Sequence, residues 1–539
     1  MKSVLLLVLS FCSYRTDGSR VRGDRYFNRS SMGGHQVDLD LDLSAVFRRV
    51  DPRFLSVTID ASLAAQERFM LLLGSQKIKF LSEALSPAFL RFGGTRQDFM
   101  VFTPQKSRQQ KAGLTADESC DAVQLPWWLE QQLKQDWVQQ QQILMTEELQ
   151  RKYHRIQFSE LTVDLLHSFS SCTGFDLIFG LNALLRTSDN SWNSSNARTL
   201  LQYCESRQYR MSWELGNEPN SYEKKAGIRV DGYQLGLDFT RLRKIMSESK
   251  LYRDTGLYGP DVGQPRDHRT DIMKGFLQSG AKAIDACTWH HYYVNGRDTS
   301  LEDFLDPEVF DTLALKINEV LETVKLESPG KSVWLGETSS AYGGGAVGLS
   351  DTFVAGFMWL DKLGLGAKLG LDVVMRQVLV GSGSYHLIDE DLNPLPDYWL
   401  SVLYKRLVGP EVLKIQAVSN FGRSKRVRMY LHCANKKSYS NGAVVLISMN
   451  LSKKPARISL PALASSSTVD AFVLQSDQPG EEGLYSRSVK LNGAVLKMVD
   501  DKTFPDLSGV RLPPAEHLQL PAYSLAFFVL VDAKATGCR

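Results

Sequence analysis

The chain lacks a strong charge of either sign. Among 539 residues, 63 Lys and Arg face 60 Asp and Glu, a formal net charge of +3. The overall field therefore selects no polyanion, and any basic site must be local. Metal-binding punctuation is missing too. Seven cysteines stand singly at 12, 120, 172, 204, 287, 433 and 538, with no Cys-x-x-Cys and no spacing that suits a metal. No resident metal, no cofactor and no nucleic-acid partner is expected. Beyond the N-terminus no apolar run is long enough to span a bilayer. What is present, 43% hydrophobic and 23% charged residues, is the composition of a globular protein.

The N-terminus sets the compartment. Lys2 precedes the apolar run Val4-Leu5-Leu6-Leu7-Val8-Leu9-Ser10-Phe11-Cys12, a secretory h-region too short to persist as a membrane helix. Residues 1–19 read as a signal peptide, its end lying between Cys12 and Arg20. The remaining six cysteines belong to a chain made for an oxidising compartment. Cys433 and Cys538 are the two of the C-terminal region and are paired on that ground; the partners of Cys204 and Cys287 stay open. Sequons at Asn28, Asn193 and Asn450 are candidate glycan sites. Arg22-Gly23-Asp24 spells an integrin-type tripeptide, too short a pattern to carry weight.

Between residue 51 and about 409, short apolar runs alternate with helical patterns. The runs cover 54–60, 89–94, 176–182, 211–218, 257–262, 286–293, 332–338 and 373–378. Amphipathic stretches at 197–206, 233–249, 270–278, 306–326 and 351–365 lie between them. Eight short strands interleaved with helices predict an α/β fold, a (β/α)8 TIM barrel whose strands are near-continuously apolar because both faces are covered. Segment 107–150 breaks this rhythm. It is polar and Gln-rich, with Pro126-Trp127-Trp128 as its apolar island and helix-forming composition from 128 onward. It divides the barrel into 53–106 and 151–409, and is either a lid or a removable linker. After 409, alternation and turn residues predict an all-β sandwich, 410–539. Val37-Asp38-Leu39-Asp40-Leu41-Asp42-Leu43 alternates as well, so segment 20–52 is expected to lend a strand to that sandwich.

Active sites of such barrels lie at the C-terminal ends of the strands. Counting runs, Glu218, in Trp213-Glu214-Leu215-Gly216-Asn217-Glu218-Pro219-Asn220, closes strand four. Glu337, in Trp334-Leu335-Gly336-Glu337-Thr338, closes strand seven. One glutamate in such a run is usually a surface or salt-bridging group. Two at facing strand ends form the pair a glycosidase needs, about 5–5.5 Å apart for retention and roughly 6.5–9.5 Å for inversion. Asn217 is placed to hydrogen-bond a sugar 2-hydroxyl.

The flanking motifs narrow this further. Phe89-Leu90-Arg91-Phe92-Gly93-Gly94-Thr95, Ile178-Phe179-Gly180-Leu181-Asn182-Ala183-Leu184-Leu185-Arg186-Thr187, Trp289-His290-His291-Tyr292-Tyr293 and Gly336-Glu337-Thr338-Ser339-Ser340-Ala341-Tyr342-Gly343-Gly344-Gly345 closely resemble the vertebrate heparanase family. The likeness runs from about Leu55 to the C-terminus and weakens in the Gln-rich segment. It implies a retaining endo-β-glucuronidase of heparan sulfate proteoglycans, with Glu218 as acid/base and Glu337 as nucleophile. By matching motif, Asp60, Thr95, Asn217, Gln264, Arg266, Tyr292, Arg297, Tyr342, Gly343, Gly344, Gln377 and Tyr385 would line the cleft. Backbone donors at Gly343-Gly344 suit a uronate carboxylate, and Arg266 and Arg297 suit sulfates. Taken singly, Tyr292 and Tyr385 read as packing residues, and His290 and His291 as hydrogen-bonded core groups.

Of two basic stretches, Arg151-Lys152-Tyr153-His154-Arg155 matches a heparin-binding segment, with Lys152 expected to touch the chain. The other, 265–274, departs from the family pattern, because Asp267 and Asp271 interrupt it. The resemblance also implies a latent chain whose linker, 107–150, is excised by a cysteine cathepsin, leaving a noncovalent heterodimer of small and large subunits. Cys120 would then pair with Cys172 and tether the linker until removal. Secretion, the extracellular matrix and the lysosome are the expected locations. The acid/base role predicts a raised pKa for Glu218, helped by the charge of Glu337, and a mildly acidic optimum. The rival readings are a non-catalytic heparan sulfate-binding homologue that modulates adhesion or signalling, and an exo-acting glucuronidase of the same clan.

Overall fold

The computed structural model of the chain describes residues 35–105, 120, 125–266, 269–417 and 425–539. The expected signal peptide, the 22–24 tripeptide, the Asn28 sequon and Asp267 lie outside the described residues. Eight parallel strands close into a barrel: β1 Leu55–Asp60, β2 Ala88–Gly93, β3 Phe175–Leu181, β4 Ser212–Leu215, β5 Leu257–Gly263, β6 Ala286–Asn295, β7 Ser332–Tyr342 and β8 Val373–Arg376. Closure comes from β8 against β1, with Val374 opposite Leu55 and Arg376 opposite Val57. Every residue of β2 and β5 is buried, which explains the unbroken apolar runs. Helices alternate with the strands and start on local signals. Asp306 caps Pro307–Glu327, accepting from Glu308 N at 2.9 Å with proline at the first helical position. No helix among the described residues is long and apolar enough to cross a membrane.

The C-terminal region forms a twelve-stranded sheet folded over a second core that includes Leu431, Leu446, Ile458, Leu520 and Phe528. Strand His35–Asp42 belongs to it. Leu39 lies antiparallel to Ala417 and Val37 parallel to Ile458, so from residue 35 the chain passes through the sheet, builds the barrel and returns. Cys433 and Cys538 are joined across 105 residues. Cys204 and Cys287 are buried free thiols, both pushed up to about 12 chiefly by burial. Asn450 requires a correction. It is fully buried, and its amide donates to Lys454 O and Pro521 O, both at 2.9 Å. A glycan there would break these bonds and has no exit, so the sequon is a turn signal. Asn193 is exposed.

The Gln-rich segment contains one long helix, Trp127–Gln150. It lies on the 3-10 helix Glu67–Gly74 that follows β1. Trp137 packs edge-on against Phe69 with ring centroids 5.0 Å apart, and Leu133, Trp137 and Leu144 are buried. Asp136 pairs with Arg68 at 2.6 Å and Glu147 with Arg96 at 3.1 Å. Cys120 is bonded to Cys172.

Candidate active site

The C-terminal mouth of the barrel holds a cleft of about 500 Å³. Glu218 does not continue β4 as the pattern implied. The strand ends at Leu215, and Gly216 at φ 80° and Glu218 at φ 51° turn the chain out of extended geometry. Gly216 has no room for a side chain: a Cβ there would meet the Tyr222 hydroxyl and Ala183. This turn lifts Glu218 into the mouth, its amide held by Asp261 O at 2.9 Å. Glu337 instead sits inside β7. Between Trp289 and His290 the register against β7 slips by a residue, passing over Gly336; β5 skips Asp261 against β6 in the same way. Such bulges re-aim side chains beside active sites.

The two glutamates share a histidine. His290 Nδ1 lies 3.4 Å from Glu218 Oε1 and 4.0 Å from Glu337 Oε1, while Nε2 lies 3.1 Å from Asp261 Oδ1. Glu337 is gripped at both oxygens, by Tyr292 Oη at 2.7 Å and Arg91 Nη1 at 2.9 Å. Arg91, wholly buried, also reaches Glu214 at 2.6 Å and Asn217 Oδ1 at 2.9 Å. One planar guanidinium thus locks the nucleophile candidate, the residue before the acid candidate and the β4 carboxylate. Lys225 donates to Thr95 Oγ1 at 2.8 Å and to Glu218 Oε2 at 3.4 Å.

These contacts set protonation. Burial disfavours a charged His290, but Glu337, Asp261 and Glu218 outweigh it and raise the imidazole to about 9. At neutral pH it is a cation between carboxylates. Burial would likewise raise Glu218, yet Lys225, His290 and Arg269 prevail and hold its carboxyl well below the ordinary range. The expectation of a raised Glu218 is overturned in this state, because these cations outweigh the burial that would raise it. Beneath the cleft, burial lifts Asp98 to about 7 despite backbone donors from Ala183 and Asn217.

Asp60, Thr95, Gln264, Arg266, Tyr292, Arg297, Tyr342, Gly343, Gly344, Gln377 and Tyr385 all line the cleft with the two glutamates. Gln264 accepts from Tyr292 N at 3.1 Å, and Gln377 donates to Asp60 at 3.0 Å. Gly343, Gly344 and Gly345 all have φ near +85° (81°, 90°, 87°), a run that side chains would strain. Two candidates stand elsewhere. Asn217 is buried under the cleft floor, its side-chain oxygen occupied by Arg91. Lys152 is exposed and off the lining, while Arg151 and Tyr153 on either side of it are on it. Sequence reasoning missed Lys224, Lys225 and Arg269 in the lining and Arg91, Glu214 and Asp261 below it; a charged residue inside an apolar strand, as in β2 and β4, was the available signal. Among the described residues no cluster could hold a metal ion. Leu144, Met145, Glu148 and Leu149 of the Gln-rich helix close one wall.

A carboxylate pair set across the mouth of such a barrel, one member beside cations and the other clasped by tyrosine and arginine, is the equipment of a glycoside hydrolase. Comparisons agree. Residues 153–364 match the family described as Glycosyl hydrolase family 79, N-terminal domain. Heparanase of Gallus gallus is 50% identical over 93% of this chain and 96% of its own length. Inactive heparanase-2 of Homo sapiens is 37% identical over 93% of this chain and 89% of its own. A solved 4-O-α-L-rhamnosyl-β-D-glucuronidase from Fusarium oxysporum aligns over 92% of this chain and all of its own with TM-score 0.60; at 14% identity it bears on the fold alone. The chain belongs to the heparanase family.

Proposed function

We propose that the chain is a retaining endo-β-D-glucuronidase that hydrolyses internal glucuronide–glucosamine linkages of heparan sulfate. The observation that carries this is the convergence of Glu218 and Glu337 on one histidine nitrogen, within reach of a single glycosidic bond. Glu337 attacks the anomeric carbon while protonated Glu218 gives its proton to the leaving glucosamine oxygen. Glu218, then ionised, takes a proton from water, which attacks the glucuronyl–Glu337 ester and frees the sugar with retained configuration. Tyr292 and Arg91 fix the attacking oxygens. In a chain of net charge +3, Lys224, Lys225, Arg266, Arg269 and Arg297 gather along this cleft, the local basic site a sulfated chain requires.

The Gln-rich helix supports latency, since it walls the cleft. In this reading 107–150 is excised by a cysteine cathepsin, Leu149 standing second from the cut after Gln150, and the subunits stay together noncovalently because β1 and β2 belong to one closed barrel. The enzyme is secreted and acts in the matrix and lysosome on proteoglycans. Glu337→Gln and Glu218→Gln in the processed enzyme should abolish depolymerisation of heparan sulfate, read by fragment sizing, while heparin binding persists. Turnover near wild type in either variant would dismiss the assignment. The 37% likeness to an inactive heparanase-2 keeps one other reading, a binding protein without turnover, which the wild-type digestion alone distinguishes.

A further inference from the structure

The covering helix is attached by more than the backbone, and the consequence rests on the reading that 107–150 is excised. Cys120 lies within that segment and is disulfide-bonded to Cys172, on the last turn of helix Glu160–Thr173, which stays with the large fragment. Cutting both ends of the segment therefore leaves it joined through sulfur. Only residues 121–126 separate Cys120 from the helix start at Trp127. A tether that short holds its helix at an effective concentration of order millimolar. Buried Trp137 and the Asp136–Arg68 and Glu147–Arg96 pairs then need only modest intrinsic affinity to keep the cleft covered.

We infer that Cys120–Cys172 is a second lock, and that thiol–disulfide exchange must accompany proteolysis to uncover the site. A reductant thiolate attacks one sulfur, breaking the Cys120–Cys172 bond and expelling the other as a thiolate. A second thiol resolves the mixed disulfide, so two reductant thiols leave as one disulfide and the helix departs on a free peptide. Access makes the step selective. Cys120 is exposed and Cys172 half-buried, whereas Cys433 and Cys538 are buried at 0% and 2% exposure.

The test uses the full chain with a serine-protease recognition sequence at each end of the segment, cut without reductant. The large fragment is expected to carry the linker peptide in a non-reducing intact mass, with activity on heparan sulfate at least tenfold below that reached after mild thiol treatment. Cys120→Ser and Cys172→Ser should reach full activity on cutting alone. Equal activity of cut wild type with and without thiol, or residues 127–150 recovered free without reductant, would overturn the inference. An uncut chain as active as the cut and reduced enzyme would instead overturn the excision reading.

Discussion

Trp137→Ala in the uncut chain tests whether the helix is what keeps the site covered. The ring is 3% exposed and packs on Phe69 at 5.0 Å. Truncating a buried tryptophan to alanine costs about 3–5 kcal/mol through lost burial and the cavity left behind. Here that cost falls on the docked helix, since no group of the barrel wall is removed. At about 1.4 kcal/mol per factor of ten, the uncovered population should rise roughly 10²- to 4 × 10³-fold, or until uncovering is no longer limiting. Intact Trp137→Ala chain should therefore digest heparan sulfate far faster than intact wild type, measured by fragment sizing without reductant. After cutting at both ends and thiol treatment the two should be equal, because residue 137 then leaves with the linker. Hydrogen exchange should report loss of protection confined to 127–150. If the helix amides lose protection while activity of the intact chain stays at the wild-type level, the helix is not the cover and latency has another source.

Arg91→Met removes the buried cation that pairs with Glu214 and Glu337, a loss of about 3–5 kcal/mol; urea unfolding should show it, and Arg91→Lys should not restore it, since an ammonium cannot hold Glu214, Asn217 and Glu337 together. His290 is raised from about 6.5 to about 9, so its contribution is complete below pH 6.5 and fades as pH climbs through 9, at most about 3 kcal/mol. Wild-type unfolding midpoints should fall across that window, and His290→Gln should flatten the fall; an unchanged slope would remove His290 as its cause. Desulfated heparan chains should be cut with the alkaline limb of the pH–rate profile at lower pH than sulfated ones; coincident limbs would refute the charge argument made below.

Much of the barrel was legible because its strands are buried on both sides, and burial writes itself as apolar runs. The helix at 127–150 was legible from composition, but its docking was not, since Leu133, Trp137 and Leu144 are sparse in a polar segment. The two glutamates were readable as strand-end carboxylates, whereas their aim was not. It depends on a left-handed turn at Glu218 and on bulges that pass over Gly336 and Asp261, and single-residue slips leave no periodic trace. Arg91 was hidden for a related reason: Glu214, Asn217, Asp261 and Glu337 come from β4 and the turn after it, β5 and β7, none of them a strand adjacent to β2, at sequence separations of 123 residues and more. Asn450 misled because a sequon states chemistry and not exposure.

Glu218 shows why charge had to be seen in three dimensions. Alone with Glu337 it would be a proton-holding acid, as the sequence suggested. The fold instead sets Lys225 and His290 each 3.4 Å from its oxygens, and with Arg269 they hold its carboxyl well below the ordinary range. A cation that holds a carboxylate ionised does so less once another anion shares it. A sulfate or uronate bound beside Lys225 and Arg269, both on the cleft lining, would take up part of their field and let the Glu218 pKa rise toward the working pH. On this reasoning the polyanion supplies part of its own catalysis: the charges that dock the chain also protonate the acid, and an uncharged sugar in the same cleft would meet a base.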